Sequence, residues 1–314
     1  MSEYSPAVQP TMYFVGVSTG GSSIRKVFPV WAKKLGIDDA DLVGVDFPIG
    51  VPGDAYRQFV SFLADDPLSR GALVTTHKID LFEACRDLFA ELEPDARALA
   101  EASCLSKRAR GLTASAKDPL TAGLALDAIL PDGHWRSSGA EAFLIGAGGA
   151  ATAISSYLAG EPGNAPGRIV ISDSDVKRLD KIGRFHRAAA TGVAIELVKV
   201  EGTTDSDAVL ESLPDGSLVV NATGMGKDRP GSPISDAAVF PEHGFAWELN
   251  YRGDLTFLAQ ARAQGATRAL RVDDGWLYFV HGWLQTIAEV FHLDVPTAGE
   301  AFDAFAGLAA GVRA

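Results

Sequence analysis

The sequence predicts an α/β protein of two domains, the second of them a doubly wound, mainly parallel sheet, and three observations predict it. Short apolar runs rich in Val, Ile, Phe and Leu alternate with helix-length stretches along nearly the whole chain, the pattern of strands buried on both faces and joined by helical crossovers. A glycine-rich hexamer, Gly146 to Ala151, follows one such run and precedes a helical pattern. The 314 residues, 47% of them hydrophobic, suffice to bury two ordinary cores.

Taken in order, MYFVGVS (Met12 to Ser18) reads as a strand, followed by a Gly-Gly turn and the helical spacing of Val27, Val30, Trp31 and Leu35. DLVGVDFP (Asp41 to Pro48) and GALVTT (Gly71 to Thr76) are the next strands, with helices expected around Tyr56 to Leu63 and Leu81 to Leu92. A second series opens at Asp118, placed to cap a helix whose first-turn residue is Pro119 and whose apolar stripe is Leu120, Leu124, Ala128 and Ile129. Strands are then expected within Glu141 to Ala151, Gly167 to Asp173, Ala194 to Val200, Ser217 to Thr223 and Gly244 to Tyr251. EPGNAPG (Glu161 to Gly167) and GKDRPGSP (Gly226 to Pro233) read as loops. The run Gly275 to Phe291 is apolar nearly all round, so it predicts a buried helix. The expected domains are 1–117 and 118–274, and 275–314 need not belong to the second.

Composition removes several functions. A formal net charge of -12 argues against a phosphate-tracking surface, so nucleic acid is not an expected partner. Cys85 and Cys104 stand in no CxxC or Cys/His spacing, so no disulfide framework and no metal site are indicated. MSEYSPAVQP lacks a basic, apolar leader, and no segment is apolar for the ~18 residues of a membrane helix, so a cytoplasmic protein without a membrane partner is expected.

The hexamer carries the chemistry of the second domain. Gly146 permits a tight turn, Gly148 lets a pyrophosphate approach the backbone, Gly149 and Ala150 open the helix behind it, and Ala151 is small enough for close helix packing. In a strand-turn-helix context this is the Rossmann-type dinucleotide fingerprint. Asp173, ending the second strand, is placed to hold free ribose hydroxyls, so NAD is favoured, with NADP possible if Arg168 or Arg178 meets a 2′-phosphate.

Beyond these motifs lie Lys117-Asp118 before Pro119, Asn221-Ala222-Thr223-Gly224-Met225-Gly226, Glu248-x-x-Tyr251 with Thr256, and Asp274-Gly275 opening the last long helix. Gly16 with the serine-rich loop Ser18 to Ser23 and Thr75-Thr76-His77-Lys78 precede them. In this order the landmarks resemble the shikimate/quinate dehydrogenase family over almost the whole chain. The resemblance implies an α/β substrate domain joined to the dinucleotide domain, with the last helices returning to the former, and an NAD(P)-dependent oxidoreductase acting on a small cyclic polyol or hydroxy acid. It implies Lys78 as catalytic lysine and Asp118 as its paired aspartate, together fitting general acid/base exchange of a carbinol proton. Ser23, Thr75, Tyr251 and His281 are implied on the substrate, and Asn221, Thr223, Met225 and Gly275 on the nicotinamide side.

This sequence also departs from the family pattern. Gly21-Ser22-Ser23-Ile24 keeps one serine of Ser-x-Ser-Pro, and Ala72 to Lys78 stands for Asn-Val-Thr-x-Pro-x-Lys, in which a one-residue gap restores Thr75. Ser103-Cys104-Leu105-Ser106 stands for Ala-Val-Asn-Thr, and His281 stands where a substrate glutamine is usual. The chain thus resembles a divergent member, whose lost polar side chains point away from shikimate itself. A non-catalytic dinucleotide-binding sensor is the alternative reading.

Overall fold

The computed structural model describes residues 4–160, 163–227 and 229–313, which excludes Glu161 and Pro162 of one predicted loop, Asp228 of the other, and the first three residues of the N-terminal stretch. The chain divides into two compact units, Met1–Lys117 with Val280–Ala314, and Asp118–Phe279.

The first unit begins with β1 (Thr11–Gly16), α1 (Ile24–Leu35), β2 (Asp41–Asp46), α2 (Gly53–Asp65), β3 (Ser69–Val74) and α3 (Lys78–Cys85). It continues through β4 (Glu91–Leu92), α4 (Pro94–Leu99), β5 (Cys104–Arg108) and β6 (Gly111–Ser115). Its six-stranded sheet has the order β2-β1-β3-β5-β6-β4. β1 pairs in parallel with β2 and β3, whereas β5 runs antiparallel to both β3 and β6. β1 is buried at every position, as a central strand should be, and β2 at the sheet edge buries only Leu42 and Val45.

One predicted element is corrected, and one element was not predicted. The helix expected from Leu81 to Leu92 stops at Cys85, where a 3-10 turn (Arg86–Leu88) leads into β4; Arg57 grips that turn through the Ala84 carbonyl and the Asp87 carboxylate. The β5–β6 hairpin was absent from the sequence reading, because its two-residue turn Ala109-Arg110 carries no Asn-Gly or Asp-Gly signal.

The second unit contains α5 (Asp118–Ile129), α6 (His134–Ser138), β7 (Ala142–Ile145), α7 (Gly149–Gly160), β8 (Arg168–Asp173) and α8 (Val176–Ala189). β9 (Ala194–Lys199), α9 (Thr203–Ser212), β10 (Leu218–Asn221), β11 (Phe245–Glu248), α10 (Thr256–Gln264) and β12 (Arg271–Asp273) complete it. All six strands are parallel in the order β12-β11-β10-β7-β8-β9. The order reverses between β7 and β10, the switch point beside which doubly wound sheets bind ligands at their strand C-termini. AFLI, LVVN and FAWE are buried throughout, and they are apolar up to the terminal Asn221 and Glu248.

The apolar face of α5 differs from the predicted stripe. Leu120 is exposed, and the buried residues include Ala122, Gly123, Ala125, Leu126 and Ile129. Small residues prevail because α7 packs closely there: a methyl group on Gly123 would overlap the Tyr157 ring. α11 (Trp276–Phe291) begins in the second unit and continues into the first, and α12 (Gly299–Ala310) packs on α1, with Trp31 Nε1 donating to the Phe305 carbonyl at 2.9 Å.

Candidate active site

In the second unit the predicted dinucleotide residues converge on the C-terminal ends of β7, β8, β10 and β11. Gly146 lies at φ +106°, and a Cβ there would stand 3.0 Å from the Ala222 carbonyl oxygen, so only glycine makes this turn without strain. A Cβ on Gly148 would meet nothing within 4 Å. Gly148, Gly149 and Ala150 are half-buried, and α7 starts at Gly149, which presents the amide-rich N-terminus of a 12-residue helix beside that space.

Asp173 closes the turn from the neighbouring strand. One carboxylate oxygen accepts from Ala147 N at 2.8 Å and the other from Asp175 N at 2.9 Å. Arg168, a candidate for a 2′-phosphate, is engaged instead: its guanidinium donates to Glu141 at 2.6 Å and is paired with Glu196. Arg178 is exposed, 3.9 Å from Asp173.

Asn221, Thr223 and Met225 form one hydrogen-bonded loop after β10. Asn221 Oδ1 accepts from Thr223 N at 3.1 Å and Thr223 Oγ1 at 2.6 Å, and Met225 N donates to Thr223 Oγ1 at 3.1 Å. The sequence reading missed what holds this loop. Glu248, fully buried at the end of β11, accepts from Asn221 Nδ2 at 2.6 Å and from the Asn250 backbone and side-chain nitrogens at 2.8 and 2.7 Å. Asn250 Nδ2 also donates to the Met225 carbonyl at 3.2 Å. Burial pushes the Glu248 carboxyl up to about 7 despite these donors. Glu248 was visible as a landmark, but nothing in its spacing announced a brace.

Gly275 N donates to the Asn250 carbonyl at 3.3 Å, and a methyl group on Gly275 would overlap the Leu249 carbonyl oxygen, so this backbone lies directly against the end of β11. Asp274 caps the first turn of α11 by accepting from Trp276 N at 2.9 Å. Tyr251 is half-buried, its ring 5.5 Å from Trp276 and 4.8 Å from Phe279, centroid to centroid.

In the first unit, Lys78 opens α3 just beyond the C-terminal end of β3, where the preceding turn is fixed by His77. The Phe47 carbonyl can only accept, so His77 Nε2 carries a proton and donates to it at 2.9 Å, and Nδ1 shares a hydrogen bond with the Tyr56 hydroxyl at 2.7 Å. Thr75 Oγ1 donates to the Val15 carbonyl at 3.0 Å, and Lys78 N to the Thr75 carbonyl at 3.1 Å. Lys78 Nζ pairs with Glu101 at 3.1 Å, with the two side chains 12% and 3% exposed. Glu101, 23 residues away, was not singled out in the sequence.

Ser23 precedes α1 and makes no side-chain cap to it; its loop is tied by Thr19 N, which donates to Asp46 Oδ1 at 2.9 Å. His281, which the resemblance implies on the substrate, is a buried residue of α11 whose Nδ1 meets no hydrogen-bond partner. It is 1% exposed and stacked on Phe302 at 4.2 Å, and burial pushes its imidazole down to about 4, so it is neutral near pH 7. Both cysteine thiols are buried and pushed up to about 12, which makes them inert rather than nucleophilic. Among the described residues no His/Cys/Asp/Glu group could hold a metal ion, and no helix is long and apolar enough to cross a membrane.

The architecture defines a class: a protein of two α/β units, one a Rossmann-type sheet with a glycine turn beside its switch point. The particular fold is that of the shikimate and quinate dehydrogenases. Quinate dehydrogenase from Corynebacterium glutamicum in complex with NAD matches with a TM-score of 0.73 and 17% identity, over 96% of this chain and 99% of the other. The ligand-free 5-ketofructose reductase of Gluconobacter sp. strain CHM43 matches at 0.67 and 17%, over 96% and 98%. In sequence, the chain is 31% identical over 133 residues to shikimate dehydrogenase (NADP(+)) of Symbiobacterium thermophilum, covering 41% of this chain and 43% of that protein, less than half the relative's length. No protein-family model matches the chain.

Proposed function

We propose that the chain is an NAD(P)-dependent dehydrogenase that moves a hydride between a nicotinamide and a ring alcohol or ketone of a shikimate- or quinate-like cyclic acid or polyol. The glycine turn carries the reading: Gly146 at positive φ, open space over Gly148, and Asp173 braced to the Ala147 amide. This arrangement suits a pyrophosphate over the N-terminus of α7 and a ribose beside Asp173. Asp173 and Asp175 oppose a 2′-phosphate while Arg168 is held by glutamates, which favours NAD over NADP. Asn221, Thr223, Met225 and the Gly275 backbone border the nicotinamide, and Ser23, Thr75 and Tyr251 offer hydroxyls to the substrate.

The dinucleotide, when bound, supplies or takes the hydride. In the reducing direction the carbonyl carbon gains that hydride, the carbonyl oxygen takes a proton from Lys78 Nζ, and the amine is reprotonated from solvent; oxidation reverses each transfer. Asp118 holds a neighbouring substrate hydroxyl.

The test is a spectrophotometric screen of shikimate, quinate and related ring polyols against NAD and NADP separately, with Lys78→Met alongside. Turnover is expected with at least one ring alcohol, reduced roughly 100- to 10,000-fold in Lys78→Met at unchanged dinucleotide affinity. Dinucleotide binding without turnover across the panel refutes the enzyme and leaves a dinucleotide sensor.

A further inference from the structure

The geometry points to Glu101 as a positioning residue for Lys78, a role that rests on the reading of Lys78 as the acid/base group. Glu101 lies between α4 and β5, in a segment fixed twice: Glu101 N donates to the Ala96 carbonyl at 3.2 Å, and Ala102 N donates to the carbonyl of Lys78 itself at 3.0 Å. The carboxylate is therefore anchored to the same residue whose ammonium it meets. Nζ lies 3.1 Å from each of the two oxygens, and the pair is almost wholly buried.

Stability alone does not explain such a pair. Removing both ions from water carries a solvation penalty, and well-packed apolar residues often replace a buried pair without loss. The pair instead restricts a long, four-carbon side chain to one place and holds its ammonium by charge-assisted hydrogen bonds. Both properties serve an amine that must deliver a proton to one substrate oxygen, since misplacement by an ångström is costly to such a transfer. His77, wedged between Tyr56 and the Phe47 carbonyl, fixes the backbone from which Lys78 departs, and Glu101 fixes the far end.

The test uses the full-length protein with Glu101→Gln, which keeps size and removes charge, and Glu101→Asp, which keeps charge and shortens reach. Each is compared with Lys78→Met on the best substrate of the screen. Glu101→Gln is expected to lower kcat roughly 10- to 100-fold with dinucleotide affinity unchanged, and Glu101→Asp to recover part of that loss. A second readout needs no substrate: acylation of Lys78 by a succinimidyl ester, followed by peptide mass spectrometry, should accelerate about tenfold in Glu101→Gln as the amine is released. Wild-type kcat and wild-type labelling in Glu101→Gln overturn the inference, as does equal loss in both Glu101 variants accompanied by early melting. Retained turnover in Lys78→Met instead overturns the acid/base reading, whatever the labelling shows.

Discussion

Asp173 answers to two neighbours at once, the Ala147 amide in the glycine turn and the Asp175 amide at the start of α8. Each carboxylate oxygen has a second lone pair, so the group can brace the turn and still receive a ribose hydroxyl. On the proposed reading its negative charge separates the two cofactors, because a 2′-phosphate brought beside it is repelled and Arg168 is already paired, which leaves Arg178 as the guanidinium able to oppose that preference. Asp173→Asn keeps the shape and one acceptor and removes the charge. NAD affinity is expected to fall roughly 5- to 30-fold while NADP affinity holds or rises, so the preference ratio moves by at least about tenfold. Fluorescence titration with both reduced cofactors measures it; an equal loss for the two would reduce Asp173 to a brace. His281 shows the opposite limit of inference from a single position. The resemblance implies it on the substrate, whereas its stacking partner Phe302 lies on α12, 21 residues further along the chain, and no local pattern contains that partner.

The ends of β10 and β11 act as one element through Glu248, and the buried carboxyl makes that element sensitive to pH. The folded protein holds the Glu248 proton up to about 7, whereas an unfolded glutamate releases it near 4.5. Between these values the native state binds more protons than the unfolded state, so stability falls as pH rises through the window and levels off above it. The full effect is about 3 kcal/mol at most. Glu248→Gln removes this contribution, so the stability of the wild type relative to the variant should decline from pH 4.5 to 7, read from denaturant midpoints at constant salt. A pH-independent difference would mean that the carboxyl is already ionised in the fold. His186 in the same unit acts in the opposite sense, since burial lowers it to about 4, but it is common to both proteins and cancels in the comparison. The sequence made the strands beneath this network readable, because β7, β10 and β11 are buried on both faces and, up to the terminal Asn221 and Glu248, their side chains are apolar. The turn after β7 was readable for a similar reason, since Gly146 answers a backbone demand that no other residue meets cheaply. β12, with only three paired residues, and the hairpin of β5 and β6 carried no such signature. Nor did the contact between Lys78 and Glu101, which depends on how α4 delivers its C-terminal end to α3.

The two units differ in how the chain builds them, and this has a consequence for dissection. The second is one continuous segment whose six parallel strands pair only with one another. Its apolar residues lie in clusters on both faces of that sheet, including Leu144, Ile171 and Val220 in one and Phe143, Val219 and Ala246 in the other. The first needs the chain's last segment: Ser106 Oγ donates to the Glu289 carbonyl at 3.0 Å, Arg108 and Lys117 pair with the Glu289 carboxylate, and Phe14 packs edge-on against Trp283 at 4.8 Å. Burial draws the Lys117 ammonium down, but the glutamates around it prevail and hold it above its ordinary range; Glu289 is correspondingly lowered. A protein truncated after Phe279 would leave Lys117 its ion pair with Glu93 and would remove Trp283 from Phe14 and the Glu289 carbonyl from Ser106. The fragment 118–279 is therefore expected to fold by itself, unfold cooperatively, and bind NAD within about tenfold of the full chain's affinity, because its glycine turn, Asp173 and the Glu248 network are all internal. The fragment 1–279 is expected to bind NAD equally well yet lose the cooperative unfolding of its N-terminal sheet. Neither should turn over substrate. Circular dichroism melts and cofactor fluorescence on the two fragments measure both properties, and a folded 118–279 fragment that fails to bind any dinucleotide would show that the glycine turn alone does not make the site.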